Sequence, residues 1–585
     1  MGNRSLCLLA ALAVSILSLP LPARGQPLTV NVAANPVGRL TSMGDGRARR
    51  FFEYDTLGRA VRVEHRLDGG AYVFSTAFGY PQGGGTAGPG TVPRTQTFPD
   101  GEVAAYGYDA SGAQRTITAT RPGTVTPQDV VRDVRRNARG QTVYVLYGNG
   151  TASTHTYNDA TDLRLNRIQT TAGSGLLQDY LYGFDATGNV TSLADGVVAA
   201  FSATYAYDSL DRLTSMTSGS TFSYQYDSTG NLINKESAAQ TYGGAGRGPH
   251  ALATAGGATY AYDANGNLAS TSTGLALTWN ADNMATQASL GGVVQNRKSF
   301  LGEELWKKVE GGTTTLYLPS LLLENGVPRK FFGTFAERSP DGSLKFYHSD
   351  HLGSSTVVTD ATQAVVHRIA YMPYGADRGV AGGGFTPRYQ FNFKEKDATG
   401  FYDYGARLYS PATGRWLSAD NAVSDGPNRY AYVADNPLTY SDPTGHDLAG
   451  IATGLILNVY PYLQIDYAAR HNIPIAVFFG GIHNKTYPTP AQIATMKKAL
   501  GVEQVIFLAN RHTLLQAFFG LTYKPQAHEG KSILEYAARR GVRTIVGSFS
   551  NGVNGLSWAM HHATQTHVTY AYLLEPNTAS GRTLE

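Results

Sequence analysis

Two groups of side chains in this sequence could carry out chemistry. The first is Ser550, which stands between Ser548 and Gly552, with a strand-like run before it and a helix-like run after it. Small residues on both sides allow a sharp turn that would expose the Ser550 hydroxyl as a nucleophile. The second group consists of the aspartates Asp420, Asp435 and Asp442. Two carboxylates in different protonation states can hydrolyse a peptide bond, because one activates water while the other donates a proton.

The elements that would position Ser550 belong to a C-terminal region of alternating strand-like and helix-like runs. Strands are predicted over Ile473–Phe479, Val502–Leu508, Val542–Val546 and Val568–Leu574. Helices are predicted over Thr489–Leu500, with Pro490 near its start and Gly501 after its end, and over Ser532–Arg540. Because strands and helices alternate, we expect a parallel sheet in a small α/β domain.

The turn around Ser550 resembles the nucleophile elbow of the α/β-hydrolases, with Ser548 in place of the first Gly of that motif. The resemblance implies an oxyanion hole formed by the backbone N–H groups of Gly481 and Asn551. Members of that family place a His after a later strand, and no His follows Leu574 in this sequence. Two interpretations stay open: a lipase- or esterase-like serine hydrolase that is assembled differently, and a serine with a structural role only.

A tyrosine–aspartate or phenylalanine–aspartate pair recurs in the preceding part of the chain, which is rich in Gly (67 residues) and Tyr (36 residues). The copies begin at Tyr54, Tyr108, Phe184, Tyr207, Tyr226 and Tyr262. Asp227 and Gly230 hold the first and fourth positions of a turn, as type I turns prefer. Aromatic residues alternate along the strand before the turn, so they share one face. Each copy is therefore predicted to be a β-hairpin, and the hairpins must stack in series because none can bury its aromatic face alone.

Four longer strings follow the repeats. They cover Phe346–Asp360, Ala370–Gly375, Lys394–Asp420 and Asn428–Asp447. In order and spacing they resemble the RHS repeat-associated core, and together with the repeats they indicate the bacterial RHS family. The resemblance implies a mainly β, spiralling shell of YD-repeat hairpins, which in many relatives encloses a variable C-terminal toxin. The expected divisions are a signal peptide (1–25), a YD-repeat β-shell (26–339), the RHS core (340–446) and a variable α/β domain (447–585).

The end of the RHS core resembles a boundary at which some relatives cut themselves. Residues 437–445 match the family pattern Pro-x4-Asp-Pro-x-Gly-Leu up to its last position, where His446 replaces Leu. The resemblance implies that Asp442 is one carboxylate of a self-cleaving pair, with Asp420 or Asp435 as its partner. The alternative is that Asp442 only caps a turn that closes the shell.

The N-terminus has the pattern of a secretory signal peptide. Arg4 precedes an apolar run over Leu6–Leu19, and small residues flank Arg24 before Gln26. A retained anchor is the alternative, but the run is shorter than the ~20 residues that a membrane span needs. The mature chain is therefore expected to be secreted or displayed at the cell surface, without a transmembrane segment.

The composition argues against several other classes of site. Formal net charge is only +4, from 48 basic and 44 acidic residues that are scattered along the chain, so nucleic-acid binding is not indicated. The single cysteine, Cys7, lies in the predicted signal peptide. A mature chain without thiols has neither disulfides nor thiolate metal sites, and we expect no cofactor and no metal.

The sequence as a whole favours an exported carrier whose shell presents or encloses a C-terminal effector. Its expected partners are an immunity protein and a component of a target cell. A cell-surface adhesion or carbohydrate-binding protein with a non-catalytic tail is the alternative, in which the aromatic faces of the repeats would contact a carbohydrate surface.

Overall fold

The computed structural model describes most of the chain up to residue 446 and six short strands after it. The described ranges are 41–44, 47–57, 59–80, 93–109, 112–138, 140–158, 164–244, 247–300, 304–420 and 428–446, with strands at 449–450, 475–479, 504–508, 544–549, 568–574 and 582–584. The predicted signal peptide lies outside the described residues. The main parts of the two compact units of the chain are Arg24–Ile456 and Leu457–Glu585.

Within the described residues of the first unit, 33 strands form one antiparallel sheet in which each strand pairs with the next along the chain. Its first strands are β1 Ser42–Gly44, β2 Ala48–Tyr54, β3 Ala60–Leu67, β4 Tyr72–Gly79, β5 Thr95–Thr97, β6 Val103–Tyr108, β7 Gln114–Thr120, β8 Gln128–Arg136, β9 Thr142–Tyr147, β10 Ala152–Tyr157, β11 Leu165–Ala172 and β12 Gly175–Phe184. The next are β13 Val190–Asp195, β14 Ala203–Tyr207, β15 Leu213–Ser218, β16 Ser220–Tyr226, β17 Leu232–Lys235, β18 Ala238–Tyr242, β19 Leu252–Ala255, β20 Ala258–Tyr262, β21 Leu268–Thr271, β22 Ala276–Trp279 and β23 Ala285–Leu290. The last are β24 Val293–Phe300, β25 Glu304–Glu310, β26 Thr313–Leu318, β27 Leu321–Glu324, β28 Val327–Phe332, β29 Ala336–Arg338, β30 Leu344–Ser349, β31 Ser355–Thr359, β32 Val365–Tyr371 and β33 Asp377–Val380.

The turns between paired strands are built as the repeat predicts. In the turn between β16 and β17, the carboxylate of Asp227 accepts hydrogen bonds from the backbone N–H groups of Thr229 (2.8 Å) and Asn231 (2.9 Å). Gly230 donates its N–H to the Asp227 carbonyl (3.1 Å) and has φ +82°, a conformation that glycine adopts without strain. The Asn231 side chain also donates to the second carboxylate oxygen of Asp227 (2.9 Å). The repeat is therefore a closed local network that sets the path of the chain.

In several repeats, the tyrosine at the end of the outgoing strand connects its hairpin to the one before. Tyr226 donates its hydroxyl to the carbonyl of Leu213 (2.8 Å), which begins the returning strand of the preceding hairpin. Tyr207 makes the same bond to Val190 (2.8 Å), and the hydroxyl of Tyr242 is 2.7 Å from the carbonyl of Leu232. We call this recurring bond the tyrosine clasp. It satisfies a hydroxyl that the packing removes from water.

The region after the large sheet adds a small sheet and several short turns. Its strands are β34 Glu395–Lys396, β35 Tyr402–Asp403, β36 Leu408–Ser410 and β37 Arg415–Trp416, and a further pair is formed by β38 Tyr440–Ser441 and β39 Ala449–Gly450. Among the described residues of the first unit, the 3-10 helices are Asp68–Gly70, Ala199–Phe201, Phe391–Phe393 and Val433–Asp435. Buried Tyr409 and Trp416 of the small sheet pack in one cluster with Tyr224 and Leu232 of the hairpins. The small sheet thus shares a core with the repeats.

The second unit contains a five-stranded sheet among its described residues. Its strands are β40 Ile475–Phe479, β41 Gln504–Leu508, β42 Thr544–Phe549, β43 Val568–Leu574 and β44 Arg582–Leu584, in the order β41-β40-β42-β43-β44. The first four are parallel, and β44 is antiparallel to β43. All four predicted strands are found, and the mainly β fold class is confirmed. The predicted helices lie outside the described residues, and so do Ser550, Gly481 and Asn551. No helix among the described residues has the length and apolar character needed to cross a membrane.

Candidate aspartate pair at the shell boundary

Asp442 caps a tight turn at the end of the first unit. Its Oδ1 atom accepts hydrogen bonds from the backbone N–H groups of Thr444 (3.0 Å), Gly445 (2.7 Å) and His446 (3.2 Å). Gly445 has φ +84°, and a Cβ there would lie 3.0 Å from the backbone nitrogen of Arg407, so a larger residue would strain the turn. The capping role proposed for Asp442 as an alternative is therefore present in the structure, but it uses only one of the two carboxylate oxygens.

The other oxygen of Asp442 faces a guanidinium that is shared with Asp420. Arg407 Nη2 lies 2.8 Å from Asp420 Oδ2 and 3.3 Å from Asp442 Oδ2. Both carboxylates and the arginine are buried. The Arg407 guanidinium stacks on the Trp416 ring at 4.1 Å, and its Nε donates to the Gly445 carbonyl. Of the two partners considered for Asp442, the structure brings Asp420 to it.

Secondary structure explains how residues distant in sequence meet here. Arg407 directly precedes β36, and Asp420 follows β37, the strand paired with β36. Asp420 donates its backbone N–H to the Arg429 carbonyl (3.0 Å), and the Arg429 side chain donates back to the Asp420 carbonyl. These contacts hold the Asp420 backbone from both sides, so its carboxylate stays aimed at Arg407.

The boundary segment that carries Asp442 is tethered to the core along its length. His351 Nε2 lies 2.9 Å from the Leu438 carbonyl, and Lys394 Nζ donates to the Pro443 carbonyl (2.6 Å). Ala406 donates its N–H to the Thr444 carbonyl (3.1 Å). Because the segment is bonded to the core at three carbonyls, its main chain is held in place close to the peptide bond that follows His446.

The two carboxylates differ in their electrostatic surroundings. Burial raises the pKa of Asp442, and this effect exceeds the opposing influence of Arg407 and of the backbone N–H groups of Thr444 and Gly445. Asp420 makes the shorter contact with Arg407. The raised pKa makes Asp442 the carboxylate of the pair that is better suited to hold a proton.

Asp435 lies in a different environment. It is buried, with φ +60° in a short 3-10 helix, and burial raises its pKa to about 7. Its carboxyl group interacts with the Tyr374 hydroxyl, and Arg415 and Arg212 are the cations that act on it. Asp435 belongs to the interior that joins the small sheet to the hairpins.

Arg407 completes the candidate site, and no motif in the sequence singled it out. It lies within the Lys394–Asp420 string, so the signal was an arginine inside a motif that already resembled the RHS core. Its position between two aspartates depends on the pairing of β36 with β37, which residue spacing does not reveal. Within the described residues, no group of three or more His, Cys, Asp or Glu side chains is arranged to hold a metal ion.

Comparison with known proteins agrees with this fold. A family model described as Teneurin YD-shell matches residues 123–284. The chain is 26% identical over 454 residues to the toxin subunit YenC1 of Yersinia entomophaga, covering 60% of this chain and 46% of that protein. It is 25% identical over 270 residues to the tRNA3(Ser)-specific nuclease WapA of Bacillus spizizenii, covering 41% of this chain and 12% of that protein.

A solved structure shows the same fold. The Photorhabdus luminescens Tc holotoxin pore, with a variant of TccC3, aligns with a TM-score of 0.61 and 22% identity, covering 72% of this chain and 24% of that chain. The chain thus spans less than half the length of the curated relatives described above. The hairpin geometry, the matched family model and these likenesses together show that the chain is an RHS/YD-repeat protein whose described body is a YD-repeat shell.

Proposed function

We propose that this protein is a toxin carrier whose shell presents or encloses the C-terminal module and releases it by hydrolysing the peptide bond after His446. The observation that carries the proposal is the pair of buried carboxylates, Asp420 and Asp442, on one guanidinium of Arg407. Likeness to toxin subunit YenC1 supports the carrier role. The cut would separate the RHS core (340–446) from the variable domain (447–585).

The proposed hydrolysis consumes one water molecule. Asp420 takes a proton from the water as its oxygen attacks the carbonyl carbon of residue 446, and Asp442 donates its proton to the carbonyl oxygen. When the tetrahedral intermediate collapses, the C–N bond breaks, Asp420 passes its proton to the leaving nitrogen, and Asp442 recovers its own proton. The products are a carboxyl group on residue 446 and an amino group on residue 447.

We predict that Asp442→Asn and Asp420→Asn each slow the release of the C-terminal fragment at least 100-fold, because an amide can neither donate that proton nor accept one from water. Intact-mass spectrometry of the purified full chain measures the fraction cut over time, and the new N-terminus should lie at residue 447. Asp435→Asn is the matched control, since Asp435 is a buried aspartate outside the pair, and it should cut at the wild-type rate. A wild-type chain that stays whole between pH 4 and pH 8, or an Asp442→Asn chain that still cuts, would contradict the proposal.

We also propose that the C-terminal module is the effector, with Ser550 as the nucleophile of a serine hydrolase and Gly481 and Asn551 as oxyanion donors. The four parallel strands β41-β40-β42-β43 support this, because β42 ends at Phe549, directly before Ser550. An immunity protein that neutralises the module and export through the N-terminal segment complete the proposal.

If the module is a hydrolase, bacteria that express the full chain without an immunity protein should stop growing, and Ser550→Ala should restore growth. Culture density after induction, with equal protein amounts confirmed by gel, measures the effect. Ser557→Ala, a serine elsewhere in the same module, is the control and should leave the arrest in place. Equal arrest by the wild type and the Ser550→Ala variant would argue against a serine nucleophile.

The adhesion alternative relied on exposed aromatic faces. In the structure, Tyr180, Tyr182 and Tyr224 of the hairpins are buried in the shared core. These rings are therefore not available to stack on a carbohydrate surface, and the geometry favours the carrier.

A further inference from the structure

His446 is the residue at which this sequence departs from the family pattern, and it contacts both carboxylates of the pair. Its Nδ1 atom lies 3.1 Å from Asp420 Oδ1, while its backbone N–H donates to Asp442 Oδ1 at 3.2 Å. The imidazole is partly exposed, with 26% of the side chain accessible. His446 thus contacts both carboxylates: its side chain contacts Asp420, and its main chain contacts Asp442.

The contact between His446 and Asp420 fits the base role that the proposed hydrolysis gives to Asp420. A carboxylate that acts as a base accepts hydrogen bonds, so in that arrangement Nδ1 carries the hydrogen, either in the neutral Nδ1–H tautomer or in the imidazolium. Asp420 Oδ2 is already paired with Arg407 Nη2 at 2.8 Å. The two oxygens of Asp420 therefore have donors on different sides, and the carboxylate is held between Arg407 and His446.

We infer that His446 is a positioning residue for self-cleavage, whose side chain docks residue 446 against Asp420. The inference rests on the proposed function, because residue 446 carries the carbonyl group that would be attacked. With its N–H on Asp442 and its imidazole on Asp420, His446 restricts how its own carbonyl can turn relative to the pair. The leucine of the family pattern has no donor, so in this chain the imidazole adds a hydrogen bond to the boundary that leucine could not make.

Two substitutions at His446 separate the effect of its side-chain hydrogen bond from the effect of its size. Asn carries its amide nitrogen on Cγ, as His carries Nδ1, so His446→Asn keeps a donor at the same distance along the side chain. His446→Leu is close to it in size and removes the donor. The two variants differ mainly in the hydrogen bond to Asp420, and both keep the backbone N–H of residue 446, which donates to Asp442.

The rate of fragment release from the full chain, followed by intact-mass spectrometry, tests the inference. We expect His446→Asn to cut within about threefold of the wild-type rate and His446→Leu to cut at least tenfold more slowly. Equal rates for His446→Leu and the wild type, with Asp442→Asn inactive, would overturn the role of His446 and leave the proposed pair in place.

A second measurement does not depend on cleavage. In the Asp442→Asn chain labelled with ¹⁵N-histidine, the His446 resonances can be assigned by their loss in His446→Leu. At alkaline pH we expect the hydrogen of the His446 ring to reside mainly on Nδ1, and to shift mainly to Nε2 when Asp420 is also replaced by Ala. A ring that carries its hydrogen on Nε2 while Asp420 is present would overturn the inference, whether or not the wild-type chain cuts itself.

Discussion

Replacing Glu395 by Ala is expected to lower the free energy of unfolding of the shell by about 3–5 kcal/mol. Glu395 is 4% exposed and lies 2.5 Å from Lys308 Nζ, which is itself only 2% exposed. Arg388 Nη2 (2.8 Å) and the Tyr317 hydroxyl (2.9 Å) bind the same carboxylate. Burial acts to raise the pKa of Glu395, but Lys308 and Arg388 outweigh it and lower the pKa, so the residue is an anion. Without it, two cations face each other in the interior.

Urea unfolding at pH 7.5, followed by the fluorescence of the buried aromatic residues, measures this loss. Asp377→Ala is the matched control, because Asp377 forms a pair with Lys396 (2.9 Å) in which both side chains are accessible. An exposed pair contributes less than about 1 kcal/mol, so this variant should unfold almost as the wild type does. Equal losses in the two variants would show that burial of the Glu395 pair does not matter. Glu310 lies 3.2 Å from Lys308 and offsets part of the cost, which favours the lower end of the range.

Acidification from pH 7.5 to pH 5.0 is expected to cost the shell about 2 kcal/mol for each of two buried histidines, His65 and His348. They are 2% and 1% exposed. Burial, reinforced by Arg50 beside His65 and Arg368 beside His348, lowers the pKa of each to about 3. The unfolded chain binds a proton on each imidazole below pH 6.5 while the folded shell does not. Stability is therefore lost as the pH falls from about 6.5 towards 3.

A double variant with His65→Gln and His348→Gln isolates this effect. Its free energy of unfolding, measured by urea at both pH values, should fall by about 4 kcal/mol less than that of the wild type on acidification. Asp435 acts in the opposite direction, because its folded pKa of about 7 lies above that of the unfolded chain, so acidification strengthens the fold through it. That contribution is common to both proteins and cancels in the comparison. Parallel pH dependences would rule out the two histidines as the acid-sensitive groups.

The hairpins were predictable because their signals are local. Asp227 and Gly230 stand three residues apart, and the turn they form follows from the side-chain cap of one and the positive φ of the other. The role of Asn231 was not predicted, although an Asn follows the turn Gly in several repeats, because its amide serves the network only once the turn has closed. Local rules therefore gave the repeat but not every residue that holds it.

The boundary site was predictable only in part. Asp442 stood out because it lies in a short motif, whereas its partner could have been Asp420 or Asp435. The choice depends on how β36 and β37 place Arg407, and on the 3-10 helix that carries Asp435 into the interior. The spacing of these residues along the chain reveals neither the position of Arg407 nor the burial of Asp435. The contact between His446 and Asp420 likewise arises from the turn that Asp442 caps.

The C-terminal strands show the same limit. Apolar runs predicted the four strands closely, since continuous apolar stretches of this length mark buried parallel strands. Their order in the sheet, with β40 between β41 and β42, could not be predicted. Any of these apolar runs could pair with any other, so the sequence does not indicate which strands are neighbours. The antiparallel strand β44 was not predicted, because its sequence contains no apolar run.

The tyrosine clasp joins a hairpin to the one before it, as Tyr226 joins Leu213 and Tyr207 joins Val190. A whole hairpin could accordingly be inserted into this sheet, or lost from it, and each remaining clasp would still find a carbonyl in the neighbouring hairpin. As far as the clasps are concerned, shell length could change in steps of one hairpin during evolution, and the contacts with the small sheet in the shared core are what limits such changes.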